Sequence, residues 1–320
     1  MKKLLISMLA VATLASCAKE ETLSFDKGEA VQFGNAFVDN ATRANDYGPS
    51  NPLNPLTEFK LWGTVKGIEG PTAIFANDTV EGTVGADNVW NCTTKTQYWI
   101  EDATYNFAAV VGGTVTAPDG LPSSIEYTAD GNTDLLYARS NEYTGLASDN
   151  PKVAFDFKHL LSKIKFTLEN TTSNAANVGT YTYTLTDVKI TNAITTGTYT
   201  VADTKNDADN SYTVKMTADA WTSKVANGMT FDSIVDVTNN TSKSSAAESL
   251  IIPMNGAKVS YTVNLYYGGK KITSTPGNAT VNFAPGCAYN LVVSTGLNNE
   301  IKFSVTTDPS WTQVTPDTAI

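Results

Sequence analysis

Apolar and polar residues alternate in short segments along most of this chain, with turn residues between them. Successive side chains of a strand point to opposite faces, so a period of two predicts a half-buried β-strand. Residues 30–38 carry Val31, Phe33 and Phe37 on one face and predict such a strand. Residues 59–65, 96–100, 105–111 and 134–138 repeat the texture. Within 152–168, Val153, Phe155 and Phe157 alternate first, and Ile164, Phe166 and Leu168 mark one face after His159. The second half predicts strands at 181–190, 197–201, 212–216, 250–252, 258–267, 279–283 and 289–294. Ile301, Phe303 and Val305 alternate with Lys302, Ser304 and Thr306, and Pro309 ends this late strand before Trp311 and Val314.

Turn chemistry supports the pattern. Gly268-Gly269 sits between Tyr267 and Lys270 and predicts a two-residue hairpin turn, whose central positions need positive φ. Pro118-Asp119-Gly120 is a second turn signal. Strands at this spacing, with no amphipathic helix between them, predict an all-β chain built of antiparallel β-sandwiches. Two sandwich domains in tandem fit the length, divided near residue 160 into 44–160 and 161–299. Residues 40–55 are polar and rich in Asn, Pro and Gly, and form an exposed connection holding Arg43 and Ala44.

Composition agrees with a folded β chain. Hydrophobic residues make up 41% and charged residues 17%, and Thr, Asn, Val, Tyr and Gly are plentiful. The net charge is −10 with no basic cluster, which argues against nucleic-acid binding because phosphates need Lys and Arg to neutralise them.

Residues 1–17 carry a leader. Lys2 and Lys3 precede an apolar run from Leu4 to Leu14, and Leu14-Ala15-Ser16-Cys17 resembles the lipobox, where the cysteine accepts diacylglycerol before cleavage. The run is too short for a bilayer core of about 30 Å at about 1.5 Å per helical residue, so it reads as a cleaved signal peptide. Lipid on Cys17 puts the remaining chain outside the cytoplasm. Cys92 and Cys287 then remain, in different predicted domains, and are expected as buried free thiols.

Chemistry-bearing residues are sparse. His159 is the one histidine, and no Gly-x-Ser-x-Gly or Cys-rich context accompanies it, so a structural role is expected and no catalytic residue is assigned. A metal site of several His and Cys is excluded by count, and no cofactor is expected. The acidic run 203–210 lacks the glycine and terminal glutamate of a calcium loop and reads as a solvated turn. Trp62, Trp90, Trp99 and Trp221 read as core or edge residues of strands, with glycan binding as the alternative.

Several segments together resemble the fimbrillins, pilus subunits of Bacteroidales. They are the lipobox; the first strand followed by Thr42-Arg43-Ala44; Asp134-Leu135-Leu136-Tyr137-Ala138; Phe155-Asp156-Phe157-Lys158-His159-Leu160-Leu161-Ser162-Lys163-Ile164-Lys165-Phe166; Leu250-Ile251-Ile252-Pro253; Pro285-Gly286-Cys287-Ala288-Tyr289-Asn290-Leu291; and Ile301-Lys302-Phe303-Ser304-Val305 leading to Trp311. Ala18-Lys19-Glu20-Glu21 resembles the export signal of surface-displayed lipoproteins in that order, and reads otherwise as a polar tether. The resemblance implies two transthyretin-like sandwiches and an outer-membrane lipoprotein precursor that ends in a cell-surface fimbrium. It implies cleavage by a trypsin-like protease between Arg43 and Ala44, with 18–43 as the removed propeptide. It also implies polymerisation by strand exchange, with Val31, Phe33 and Phe37 displaced and Ile301, Phe303 and Val305, within segment 300–320, as donor. Implied partners are other fimbrial subunits and a host or bacterial surface ligand.

On the residues alone, both terminal strands are permanent members of their own sandwiches and Arg43 is a loop arginine; the resemblance reverses that order. Two other readings stand beside the pilin: a monomeric surface lipoprotein that binds glycans, and a hydrolase on a β scaffold. The leader yields a direct test. Cys17→Ser is expected to abolish palmitate labelling and block maturation, and normal labelling of that variant would remove the lipoprotein reading.

Overall fold

The computed structural model describes residues 28–38, 56–67, 70–82, 90–175, 178–245, 248–297 and 300–308. Cys17, Arg43, Ala44 and Trp311 lie outside the described residues, as does the side chain of Phe37. The first strands are β1 (Phe33–Val38), β2 (Glu58–Gly67), β3 (Gly70–Gly82), β4 (Trp90–Cys92), β5 (Thr104–Val111), β6 (Ser124–Thr128), β7 (Leu136–Arg139), β8 (Tyr143–Thr144) and β9 (Val153–His159). There follow β10 (Ser162–Asn170), β11 (Tyr181–Ile190), β12 (Ile194–Thr200), β13 (Thr204–Asn206), β14 (Ser211–Thr213), β15 (Trp221–Ala226), β16 (Met229–Thr230), β17 (Ile234–Thr238), β18 (Thr241–Ser244) and β19 (Ser249–Ile251). The last are β20 (Met254–Tyr267), β21 (Lys270–Phe283), β22 (Ala288–Thr295) and β23 (Lys302–Asp308). The chain is all-β, as its periodicity predicts.

An eight-stranded sheet runs β2-β3-β4-β1-β9-β7-β5-β8, and β2 also pairs with β5, so the sandwich closes on itself. Inside it, Phe33, Phe59, Phe75, Trp90, Phe107, Phe155 and Phe157 form an aromatic core. β9 shows the alternation directly: Val153, Phe155 and Phe157 are buried, while Ala154 and Asp156 are exposed. A second sandwich stacks β18-β10-β22-β23 on β16-β11-β20-β21. β10 is buried on both faces over most of its length, and Lys163 within it is paired with Glu248 at 3.3 Å. The Gly268 and Gly269 turn has φ of +56° and +77°, which the β20–β21 hairpin requires.

Three features depart from the local pattern. Pairings are antiparallel except β1 with β9 and β10 with β22, which are parallel. The segment 96–100 forms no strand, and Tyr98 makes one isolated bridge to Ala30. β6, from before residue 160, pairs with β12, from after it. Ile125, Tyr127, Leu135 and Tyr137 accordingly lie in the second core, so the two cores interlock across that position.

Polar groups reinforce the junction. Tyr137 donates its hydroxyl to Asp203 Oδ2 at 2.5 Å, and Arg139 Nε lies 3.8 Å from the same oxygen. Arg139 also stacks over Tyr212 at 4.3 Å, and Lys205 Nζ meets Glu142 Oε1 at 3.0 Å. Asp207 and Asp209 are solvated as the acidic run predicts, but the Asp203 side chain is only 8% exposed. Tertiary packing of the β13–β14 hairpin buries it. Burial pushes the Asp203 carboxyl above its usual range, against the Tyr137 hydrogen bond and the Arg139 charge.

A carboxyl whose folded pKa is raised contributes stability below its unfolded pKa and loses it as pH rises through the folded value. Wild type is therefore expected to lose stability relative to Asp203→Asn as pH rises from 4 toward neutrality, whatever the offset between the two proteins. Thermal unfolding across that range checks it, and a pH-independent difference between the two proteins would contradict the assignment.

Candidate strand-exchange site

β1 is the segment that joins β4 to β9. Its ladder with β9 pairs Phe33 with Val153, Ala36 with Phe155, Phe37 with Asp156 and Val38 with Phe157. On the other side it holds less: Phe33 pairs with Trp90, and Ala30 bridges Tyr98. Val31 N–H donates to Gln97 O and Trp99 N–H to Glu29 O, both at 2.9 Å. The Phe33 ring fills a cage of Phe75, Phe107 and Phe155, with centroids at 5.8, 6.2 and 6.3 Å. Val31 and Ala36 are buried beside it. Fully burying a side chain such as Val or Phe contributes roughly 1.5–3 kcal/mol.

The walls of this slot have supports of their own. Asp78 Oδ1 accepts from Thr94 Oγ1 at 2.6 Å, and its Oδ2 accepts from Ala76 N–H at 2.8 Å and meets Lys95 Nζ at 2.9 Å. Burial opposes ionisation of Asp78, but these partners outweigh it and hold the carboxyl below its usual range. The turn after β4 is thereby tied to β3 without help from β1.

The predicted displaced residues are placed unevenly. Val31 and Phe33 are buried as expected, but an extra residue between Phe33 and Ala36 breaks the period of two. The register brings Ala36, not Phe37, level with Phe155. Gly34-Asn35 inside the strand is the sequence signal for that bulge. The cage residues Phe75 and Phe107 carried no such signal, because their meeting depends on how distant strands pair.

The other predicted segment lies in a different sheet. β23 pairs antiparallel with β22, from Ser294 with Lys302 to Ala288 with Asp308, and forms the sheet edge. Ile301 and Phe303 are half-buried, and Phe303 stacks on Tyr261 at 6.0 Å. Tyr261 in turn lies over Gly277, where a Cβ would stand 2.3 Å from its ring. Val305 remains 39% exposed. The alternation is present, yet this edge buries only part of it.

His159 ends β9 between the two cores. Its Nδ1 lies 2.6 Å from Asp134 Oδ2, both side chains are buried, and Asp134 Oδ1 accepts from Leu135 N–H at 2.8 Å. This arrangement pins the strand end. Cys92 is half-buried and Cys287 buried, and both are free thiols.

A family described as fimbrillin-like matches residues 42–310 of this chain. Among solved structures, a fimbrial protein from Bacteroides vulgatus aligns with a TM-score of 0.55 at 13% identity, covering 88% of this chain and 99% of that one. The fimbrial anchor protein Mfa2 from Porphyromonas gingivalis aligns with a TM-score of 0.35 at 10% identity, covering 88% and 97%. The likeness in fold rests on the first. No curated protein matches the chain by sequence. On the family match across most of its length, this chain belongs to the fimbrillin-like family.

Proposed function

We propose that the chain is a structural subunit of a surface fimbria, and not an enzyme. It is exported as an outer-membrane lipoprotein on Cys17, cut after Arg43 by a trypsin-like protease, and polymerised by strand exchange in support of adhesion. Its partners are other fimbrial subunits. The observation that carries this reading is the position of β1: one six-residue strand completes the closed sheet, and its buried Phe33 fills an aromatic cage. Held in place, β1 keeps the subunit soluble. Lost after cleavage, it leaves the backbone groups of β9 that face it without partners and uncovers Phe75, Phe107 and Phe155. Such an edge associates with any strand that fits. A neighbour's strand supplies main-chain bonds for affinity and alternating side chains for register. A head-to-tail contact of this kind does not close and builds a fibre.

Polymer length on the cell, read on gels of unboiled samples, tests this. Arg43→Ala is expected to accumulate as uncut monomer. Phe303→Asp is expected to be cut but to extend no fibre as donor, since burying an unpaired carboxylate costs several kcal/mol. Wild-type ladders from both variants would refute strand exchange. One-to-one glycan binding by uncut monomer, with no ladder from wild type, would favour the binding-module reading instead.

A further inference from the structure

We infer that Glu29 and Asn150 form a latch that sets how fast the first strand leaves its slot once the chain is cut. Glu29 is the polar end of the resident segment, and Asn150 is its receptor on the body of the sandwich. This inference rests on the strand-exchange reading and deepens it by naming the contact that regulates release.

Glu29 holds two walls of the slot at once. Its backbone carbonyl accepts from Trp99 N–H at 2.9 Å. Its carboxylate Oε2 accepts from Asn150 N–H at 2.7 Å and from Asn150 Nδ2 at 3.1 Å. Hydrogen bonds to a carboxylate are charge-assisted and stronger than those between neutral groups.

The receptor is built without Glu29. Asn150 Oδ1 accepts from Leu146 N–H at 2.7 Å, and Asn150 Nδ2 donates to Leu146 O at 2.9 Å, so one side chain closes the loop 146–150. Asp149 turns the chain with φ of +58°, and the next N–H is the one that meets Glu29. The base of the loop is tied down as well. Gly145 N–H donates to Ala103 O at 2.9 Å, and Asp102 N–H donates to Gly145 O at 3.0 Å. Position 145 must be glycine for that approach, because a Cβ would stand 2.1 Å from Ile100 O. Two N–H groups of Asn150 therefore stand preset toward one carboxylate oxygen.

Place along the chain gives the contact its leverage. A cut after Arg43 frees the segment at its C-terminal end, beyond Val38. Fraying from there opens the pairs of Val38, Phe37 and Ala36 with β9, and then meets the shift in register before Phe33. That interrupted half gives way first. Next come Phe33 in its cage, Gln32 O accepting from Val153 N–H at 2.8 Å, and Val31 N–H donating to Gln97 O at 2.9 Å. Glu29 lies at the far end, so its bonds open last. While they hold, the loosened strand stays at the slot and can close again. An interaction lost only at the barrier slows release without slowing closure.

Glu29 is exposed and Asn150 half-buried, and neither belongs to an apolar core, so alanine at either position leaves the fold its packing. The test follows the resident segment in purified protein cut after Arg43, by mass spectrometry of the folded body recovered over time. Glu29→Ala and Asn150→Ala are each expected to speed its loss by about tenfold, the order set by hydrogen bonds to a charged group. The double variant is expected to match either single one within about twofold, since both remove the same contact. Unchanged release in either single variant would overturn the latch and leave strand exchange intact. An Asn150→Ala effect that persists in full on the Glu29→Ala background would also overturn it, by assigning Asn150 to the loop alone. A segment that stays bound in every cut protein would overturn the strand-exchange reading. Hydrogen exchange in the uncut chain then decides the contact by itself. Faster exchange at Val31 and Trp99 N–H in both variants, with β20 unchanged, is expected, and unchanged protection there would overturn the latch.

Discussion

A sheet that closes on itself has no edges, and here closure depends on β1 lying between β4 and β9. Backbone N–H and C=O groups must be paired when they are buried, and a strand removed from a closed sheet leaves two rows of them open at once. β1 is held mainly by its ladder to β9 and by one aromatic ring in a cage. Its link to β4 is one residue pair. The strand is buried enough to complete the fold, yet it is thinly connected on its β4 side. The conformational freedom regained by a short strand on release offsets part of the burial it gives up.

The remaining edges are handled differently. β21 is fourteen residues long and faces outward, which in an unprotected sheet is an invitation to aggregate. Lys270 and Lys271 place charge at its start, and Pro276 removes a donor at its middle. Within the same sheet the buried Asn264 donates to Thr184 and Thr186 and accepts from Ser274, a cross-strand polar ladder. These features discourage pairing along this edge.

The two cores are also mechanically linked. β6 crosses to pair with β12, and the β13–β14 hairpin crosses back to rest its Lys205 and Tyr212 against Glu142 and Asn106. Arg139 is the centre of this contact, donating to Phe107 O and Asn106 Oδ1 while stacking over Tyr212. Arg suits such a place because its planar fork serves several acceptors and an aromatic face together. For a subunit carried in a fibre, a junction with both apolar and polar ties resists separation of the halves.

Local periodicity by itself determined that the chain is all-β, which faces of most strands are buried, and where the Gly268-Gly269 turn falls. It marked Val31, Phe33, Ile301 and Phe303 as inward-facing, because side-chain direction in a strand follows from the backbone alone. Tertiary structure alone decided which strands meet. Nothing in Val153, Phe155 or Phe157 tells whether the neighbour runs parallel or antiparallel, and nothing near residue 125 announces a partner at residue 199. The bulge at Gly34-Asn35 was hinted by its residues, yet its effect on Phe37 appears only against β9. Asp203 looked solvated in sequence and is buried because a distant wall of Tyr137 and Arg139 covers it. Alternation is a property of neighbours along the chain. Pairing, closure and cage are agreements between segments far apart, settled only when their surfaces compete for the same apolar space.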